Sequence, residues 1–161
     1  MATQAPPGDD AVWLDPAEMR AWRTFIDASN RLDAVLNKSL SDNHDLALAD
    51  YRILVLLSEA DDFTLRMSEL ADGVVASRSK LTHQVRRLEA TGMVTRVECD
   101  SDRRGVNAVL TEAGLGRLKA AAPGHAADVR RYMIDALTGR QLRMLTDVFG
   151  TVDARCREVT T

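Results

Sequence analysis

The stretch Ser77–Thr111, SRSKLTHQVRRLEATGMVTRVECDSDRRGVNAVLT, decides the fold of this chain. Its first part, Ser77–Thr91, has the composition and apolar spacing of a basic helix, and Gly92 ends that helix. Two short runs of β-type residues follow, with a charged turn between them: Met93–Cys99, Asp100–Gly105 and Val106–Leu110. The stretch therefore predicts a helix followed by a β-hairpin.

The predicted helix has two chemically different faces. Leu81, Val85 and Leu88 recur at helical spacing and would form a buried stripe. The other positions carry hydroxyl, imidazole and guanidinium groups, which bond to phosphates and base edges, and there is no acid before Glu89. A solvated surface helix would also have a polar face, so the helix alone leaves both interpretations open.

The hairpin decides between these interpretations. A helix that fits the major groove, followed by a hairpin with paired arginines at its tip, is the arrangement of a winged helix-turn-helix. We therefore predict a DNA-binding regulator. The candidate DNA-binding residues lie on the helix and at the hairpin tip: Ser77, Arg78, Ser79, Lys80, Thr82, His83, Arg86, Arg87, Asp102, Arg103 and Arg104.

Three helices are predicted on the N-terminal side of this stretch. The segment Asp15–Glu18 reads as a capping box, and an apolar stripe then continues for about seven turns: Met19, Trp22, Ile26, Ser29, Leu32, Leu36 and Leu40. A leucine-rich helix, Leu48–Glu59, should be buried. Leu65–Met67 should be extended, and Ser68 should cap a small helix over Glu69–Gly73.

Two helices are predicted on the C-terminal side. Thr111 should start a long helix that reaches about Leu137, with an interruption at Pro123 and Gly124. A capping box at Thr138 should start the last helix. The expected fold class is mainly α, with a small β-hairpin wing.

The charge of the chain is unevenly distributed, although the formal net charge is only −3. Residues 1–62 carry 5 Lys/Arg and 12 Asp/Glu, whereas residues 63–104 carry 8 and 6. DNA affinity depends on where the cations lie, so an acidic chain with a basic face can still bind phosphates.

Several other classes of protein are disfavoured. The two cysteines, Cys99 and Cys156, lack the close spacing of a metal site, and neither a Gly-rich phosphate loop nor a nucleophile elbow occurs. The longest apolar run, Ile53–Leu57, is far shorter than a membrane span, and the acidic N-terminus is unlike a secretory signal. We expect no enzymatic activity, no metal or other cofactor, no membrane association and a cytoplasmic location.

Three motifs occur in register along the chain: Arg66–Ala71, Leu88–Gly92, and Asp102–Gly105 followed by Val109–Gly114. On these motifs the chain resembles the MarR family of transcriptional regulators over residues 15–157. The resemblance implies an obligate dimer built by the first helix and the last two helices. It also implies a recognition helix in the major groove and Arg104 in the minor groove, with Asp102 holding an arginine in place.

The terminal helices support a dimer independently. The helices over 16–40 and 139–157 both have apolar stripes, and the DNA-binding lobe is too small to cover both. A second copy would cover them, and an intrachain bundle is the alternative. The expected domains are a disordered lead (1–14), an N-terminal dimerisation helix (15–45), a winged helix-turn-helix lobe (46–111) and C-terminal dimerisation helices (112–157).

Two symmetric recognition helices would meet half-sites roughly 34–36 Å apart on a near-palindromic operator. Repression is the commoner outcome in the family that the chain resembles.

Many members of this family release DNA when a small phenolic or carboxylated molecule enters the cleft beside the dimer helices. The candidate effector-binding residues, whose rings and cation would suit an aromatic acid, are Trp13, Trp22, His44, Tyr51 and Arg52. For Trp22 a place in the core stripe is favoured, and for Arg52 a salt bridge is the alternative.

Two other functions stay open at this point. Oxidation of Cys99, at the base of the wing, would disturb DNA contacts, although the acids around it disfavour a reactive thiolate. A helical dimer that binds another protein, and uses the winged helix as a scaffold, is the second alternative. Such a scaffold would not need the polar helix face and Arg104 together.

Overall fold

The computed structural model describes residues 12–99 and 102–160, without the side chains of Cys99, Asp102–Arg104 and Thr160. Most of the predicted lead therefore lies outside the described residues. The helices and strands follow in the order α1 (Pro16–His44), α2 (Leu48–Glu59), β1 (Thr64–Arg66), α3 (Met67–Gly73), α4 (Arg78–Ala90), β2 (Val94–Cys99), β3 (Asp102–Leu110), α5 (Glu112–Tyr132) and α6 (Gly139–Thr160). The expected fold class, mainly α with a small β wing, is confirmed.

Helix α1 begins at the predicted capping box. The carboxylate of Asp15 accepts hydrogen bonds from the backbone of Ala17 and Glu18 at 2.6 and 2.9 Å, and the Glu18 carboxylate accepts from the Asp15 backbone at 2.7 Å. The helix ends at His44, one turn beyond its predicted apolar stripe, where Asp45 adopts a left-handed φ of 47°.

The strands form one antiparallel sheet in the order β1-β3-β2. The predicted hairpin is confirmed as β2 and β3, and β1 adds a third strand because Leu65 lies opposite Ala108. The prediction that residues 100–105 form a turn is wrong from Asp102 onwards, because β3 begins there. Asp102 is paired with Cys99, beyond a register shift at Glu98, so the ladder extends towards the tip.

Helix α3 begins earlier than predicted, at Met67, and Ser68 is not its cap. The Glu69 carboxylate accepts a hydrogen bond from the Arg66 backbone N–H at 3.1 Å, which closes the first turn two residues before the expected position. The strand β1 consequently ends at Arg66 instead of Met67.

Helix α5 runs through Pro123 without the predicted interruption and ends at Tyr132, before the predicted Leu137. Its inward stripe continues on both sides of the proline: Leu118 and Ala121 are buried, and Val129 packs against the same core. Proline removes one backbone hydrogen bond from a helix. Packing on both sides of Pro123 holds the helix in register despite that loss.

The hydrophobic core lies where α2, α4 and the sheet meet the C-terminal half of α1 and the first half of α5. Its fully buried members include Leu40, Ile53, Leu54, Leu57, Leu70, Leu81, Val85, Leu88, Val94 and Ala108. The expectation that Trp22 belongs to a core stripe is wrong, since 53% of its surface is exposed. The N-terminal half of α1 extends past this core, so its outer positions have no covering element among the described residues.

Candidate nucleic-acid interface

Helix α4 has the division of faces that its sequence predicts. Leu81, Val85 and Leu88 are at most 1% exposed, so the helix is firmly seated on the core. Ser77 is the N-cap, and its hydroxyl accepts a hydrogen bond from the Lys80 backbone at 3.3 Å. Helix α4 is therefore fixed by an apolar stripe on one side and by a cap at its start.

The opposite face of α4 is open to solvent. Of the helix residues predicted to bind DNA, seven are exposed and Thr82 is half-buried: the exposed ones are Ser77, Arg78, Ser79, Lys80, His83, Arg86 and Arg87. The Thr82 hydroxyl donates to the Arg78 carbonyl at 2.8 Å, which leaves its oxygen lone pairs as acceptors. The structure thus brings a continuous set of cations and hydroxyl groups to one surface.

Arg87 is exposed but engaged. Its guanidinium donates to the Asp50 carboxylate of α2 through Nε at 3.0 Å and through a terminal nitrogen at 2.6 Å. Asp50 is itself only 5% exposed. Hydrogen bonding to Asp50 raises the pKa of Arg87. Sequence reasoning placed Arg87 on the DNA-facing flank and missed this partner, which lies on another helix 37 residues away.

The acidic residue of α4, Glu89, is paired with the wing. Arg96 of β2 donates to it through Nε at 2.9 Å, and its terminal nitrogen lies 2.6 Å from the same carboxylate oxygen. The hydrogen bond from Arg96 lowers the pKa of Glu89. The pair joins the recognition helix to the wing and offsets the negative charge of Glu89 near the basic face.

The wing places its arginines beside the hairpin tip. Asp102, Arg103 and Arg104 are the first residues of β3. Asp102 is paired with Cys99 of β2, whereas Arg103 and Arg104 lie within the register shift between that pair and the Glu98–Val106 pair. Their side chains lie outside the described part of the structure. The expected roles of Arg104 in the minor groove and of Asp102 in orienting an arginine remain predictions.

A cavity of about 460 Å³ lies between α3, α4 and the wing. Three arginines from different elements line it, Arg66, Arg78 and Arg96, together with Met67, Ser68, Leu81, Thr82, Gly105 and Val106. Of these residues, Arg78 and Thr82 are the two that the sequence predicts to bind DNA. Arg66 and Arg96 are separated by 30 positions, and only the pairing of β1 and β2 with β3 brings them together.

The five predicted effector residues fall into two groups. Trp13 and Trp22 are exposed at the N-terminal end of α1. His44, Tyr51 and Arg52 lie near the other end of that helix, where α1, α2 and α5 meet. At about 1.5 Å per residue, the 22 helical positions between Trp22 and His44 correspond to roughly 33 Å, and Trp13 lies before the helix begins. One chain therefore does not bring the two groups together.

Within the second group, Tyr51 and Arg52 already have partners in the same chain. Tyr51 is buried, and its ring centroid lies 4.5 Å from that of His125 on α5. Arg52 donates to the Asp33 carboxylate of α1 at 3.0 Å, which matches the salt-bridge alternative. Burial lowers the pKa of His125 and raises that of Tyr51. The Nδ1 atom of His125 is buried without a hydrogen-bond partner among the described residues. The sequence alone assigns His125 no role in a site.

Apolar side chains remain exposed along α1 and α6. Phe25 and Phe149 contact each other across these helices, with ring centroids 5.2 Å apart, and each is 39% exposed. Further exposed members of this surface, which we call the stalk face, are Trp22, Met144, Val148 and Val152. Separately, none of the described helices is long and apolar enough to cross a membrane.

Comparison with known proteins agrees with this geometry. A family model described as the MarR family matches residues 46–106, from the end of α1 to the wing. AbsC, a MarR family transcriptional regulator from Streptomyces coelicolor, is 40% identical over 92% of this chain and 99% of that chain, with a TM-score of 0.86. A second MarR family regulator from the same organism, solved in complex with DNA, is 38% identical over 91% of each chain, also with a TM-score of 0.86.

A curated relative gives the same result. The transcriptional regulator MhqR of Bacillus subtilis is 28% identical over 139 residues, which cover 86% of this chain and 88% of MhqR. The winged helix-turn-helix, the basic helix face and these relatives agree. This chain belongs to the MarR family of transcriptional regulators.

Proposed function

We propose that this regulator is a homodimer that binds a near-palindromic operator sequence-specifically and represses transcription from it. The observation that carries the proposal is the outer face of α4, which presents cations and hydroxyl groups to solvent while Leu81, Val85 and Leu88 hold the helix on the core. Such groups bond to phosphates and base edges in the major groove. The relative solved with DNA supports the same use of the fold.

The stalk face supports the homodimer. Large apolar side chains such as Phe25, Val148 and Phe149 are exposed on helices that are amphipathic, and exposed apolar patches of this kind mark association surfaces. A second copy would cover them in a closed, two-fold arrangement.

The proposed dimerisation segments, 15–45 and 112–157, are not separate folding units, because Leu40 and Ala121 are part of the same core as the DNA-binding lobe, 46–111.

We further propose that a small aromatic or phenolic acid releases the operator. The junction of α1, α2 and α5 carries aromatic rings and a cation, Tyr51, His125 and Arg52, close to His44. A ligand that enters there acts only if it favours a spacing of the recognition helices that does not fit DNA. Trp13 and Trp22 would join the site only from the partner copy. An operator-binding regulator of this kind would act in the cytoplasm, without a catalytic role.

The test is a binding titration of the purified chain with the DNA upstream of its own gene, at about 50 and 200 mM salt. Contacts with several phosphates predict a loss of affinity of roughly 10³-fold or more between these conditions. A matched duplex of shuffled sequence should bind more weakly at both. Equal affinity for both duplexes would contradict sequence-specific binding, and no binding to either duplex would favour the scaffold alternative.

A further inference from the structure

The first turn of α2 is tied to three different helices by three successive residues. Asp50 accepts hydrogen bonds from Arg87 of the recognition helix, the ring of Tyr51 contacts that of His125 on α5, and Arg52 binds Asp33 of α1. In addition, the Leu48 backbone N–H donates to the Asn37 side chain of α1 at 3.0 Å. The turn therefore connects α4 with both α1 and α5.

The three links differ in burial. Asp33 and Arg52 are both more than half exposed, so solvent screens their pair and it contributes little. Asp50 is different, because its side chain is only 7% exposed and three hydrogen bonds to its carboxylate come from a single guanidinium. A buried carboxylate without its partner is strongly unfavourable, so this pair has one well-defined geometry.

The bidentate contact between Arg87 and Asp50 also fixes the rotation of α4 about its axis, which the apolar stripe does not. Leu81, Val85 and Leu88 hold α4 on the core, but apolar contacts are non-directional and allow small rotations about the helix axis. Two parallel N–H···O bonds from a planar guanidinium fix an angle as well as a distance. Because Arg86 is the neighbour of Arg87, the same angle sets the direction in which Arg86 leaves the helix.

We propose that Asp50 is a positioning residue for DNA recognition: it holds Arg87 so that the outer face of α4 keeps one orientation relative to α1 and α5. The proposal rests on the proposed function, since it concerns how that operator contact is made. In this role Arg87 binds to α2 of its own chain. It contributes to operator affinity by orienting α4 rather than by neutralising a phosphate.

The direction in which one substitution changes operator affinity separates positioning from simple electrostatics. Asp50→Asn removes a negative charge and releases a guanidinium next to the basic face. Electrostatics alone then predicts tighter binding to any DNA and a steeper salt dependence. Positioning predicts weaker binding to the operator, unchanged or slightly tighter binding to non-specific DNA, and therefore a smaller ratio between the two affinities.

The experiment compares the full-length wild type, Asp50→Asn and Asp33→Asn by fluorescence anisotropy. The probes are the upstream duplex that the wild type prefers and a shuffled duplex of equal length, and all titrations are run well below each variant's Tm. Asp33→Asn is the matched control, because it also removes one carboxylate from an Asp–Arg pair between two helices. We expect Asp50→Asn to lose roughly 3- to 30-fold of the specific-to-non-specific ratio, and the control to lose less than 2-fold.

Two more variants complete the test. Asp50→Glu keeps a carboxylate and should restore part of the ratio, whereas Arg87→Lys keeps the cation without the fork and should lose it like Asp50→Asn. If Asp50→Asn does not fold, Arg87→Lys alone carries the test. An undiminished ratio in Asp50→Asn or Arg87→Lys, with the wild type discriminating normally, would overturn the positioning role alone. A wild type that does not discriminate between the duplexes would overturn the proposed function and this role with it.

Discussion

At the scale of single residues, Gly114 at the start of α5 lies directly against Met93 and Leu110. A Cβ added there would collide with the Met93 carbonyl oxygen and lie 2.7 Å from a methyl carbon of Leu110. We expect Gly114→Ala to lower the free energy of unfolding by about 1–3 kcal/mol, as overpacking does. Gly116→Ala, two positions along the same helix with open space around it, should raise it by about 0.5–1 kcal/mol. Urea unfolding of both variants checks the pair, and equal effects would contradict the close approach.

His125 predicts a pH dependence of stability. Burial is the main reason that its pKa is lowered, with Arg52 adding to the effect and Asp128 opposing it. The unfolded chain therefore binds this proton more readily than the folded one. The contribution of neutral, buried His125 to the free energy of unfolding is fully present above about pH 6.5. It is lost as the pH falls through the pKa of His125 in the folded chain.

The variant His125→Phe keeps a ring against Tyr51 and removes the titration. Between about pH 7.5 and 5.5, a window that spans the ordinary histidine pKa, we expect it to lose less unfolding free energy than the wild type. Urea unfolding at both pH values measures the difference. Parallel losses in the two proteins would show that His125 does not titrate as its burial implies.

At the scale of elements, the recognition helix was predictable and its attachments were not. The spacing of Leu81, Val85 and Leu88 predicts the buried face of α4, because helical periodicity is a local property of the sequence. The pairs Asp50–Arg87 and Glu89–Arg96 join different elements, and nothing local in the sequence indicates them. Pro123 shows the converse, since a strong local signal was overridden by the packing of its own helix against the core.

Arg86 tests whether α4 reads bases. It is exposed on the outer face, and it differs from Arg87 in having no hydrogen bond to the scaffold among those described. We expect Arg86→Ala to weaken operator binding by about 1–3 kcal/mol and to relax the sequence preference. Lys119→Ala, the loss of one exposed cation on α5, is the control and should leave both unchanged. An equal loss of affinity for every duplex would mean that Arg86 contacts phosphate alone.

At the scale of the whole molecule, the stalk face predicts that the chain does not exist as a stable monomer. A charge introduced at Phe149 would be buried against the second copy, so Phe149→Glu should shift the sedimentation equilibrium towards monomer by at least tenfold. That factor corresponds to about 1.4 kcal/mol, a small part of the penalty for burying an unpaired charge. Ala154→Glu, which adds the same charge about 140° around the helix from Phe149 and on the side away from Val148 and Val152, should leave the dimer intact. A monomeric wild type would contradict the two-fold arrangement.

The exposure of Trp22 and Phe149 also explains which part of the molecule sequence reasoning described least well. The apolar spacing of Trp22 predicts a place in a core stripe. The stripe of the last helix, which contains Phe149, predicts cover by a second copy or an intrachain bundle. Within one chain both residues are exposed. Periodicity shows that a face will be covered, but it does not show by what. The same applies to the effector residues, because Trp13 precedes the start of α1 and His44 ends it, and only an assembly could bring such groups together.

The most direct measurement of the central claim is a hydroxyl-radical footprint of the full-length chain on its own upstream DNA. Two recognition helices presented by a symmetric dimer predict two protected patches, related by two-fold symmetry and separated by about one helical turn, roughly 10–10.5 base pairs. A single patch, or uniform protection without a preferred position, would contradict the account.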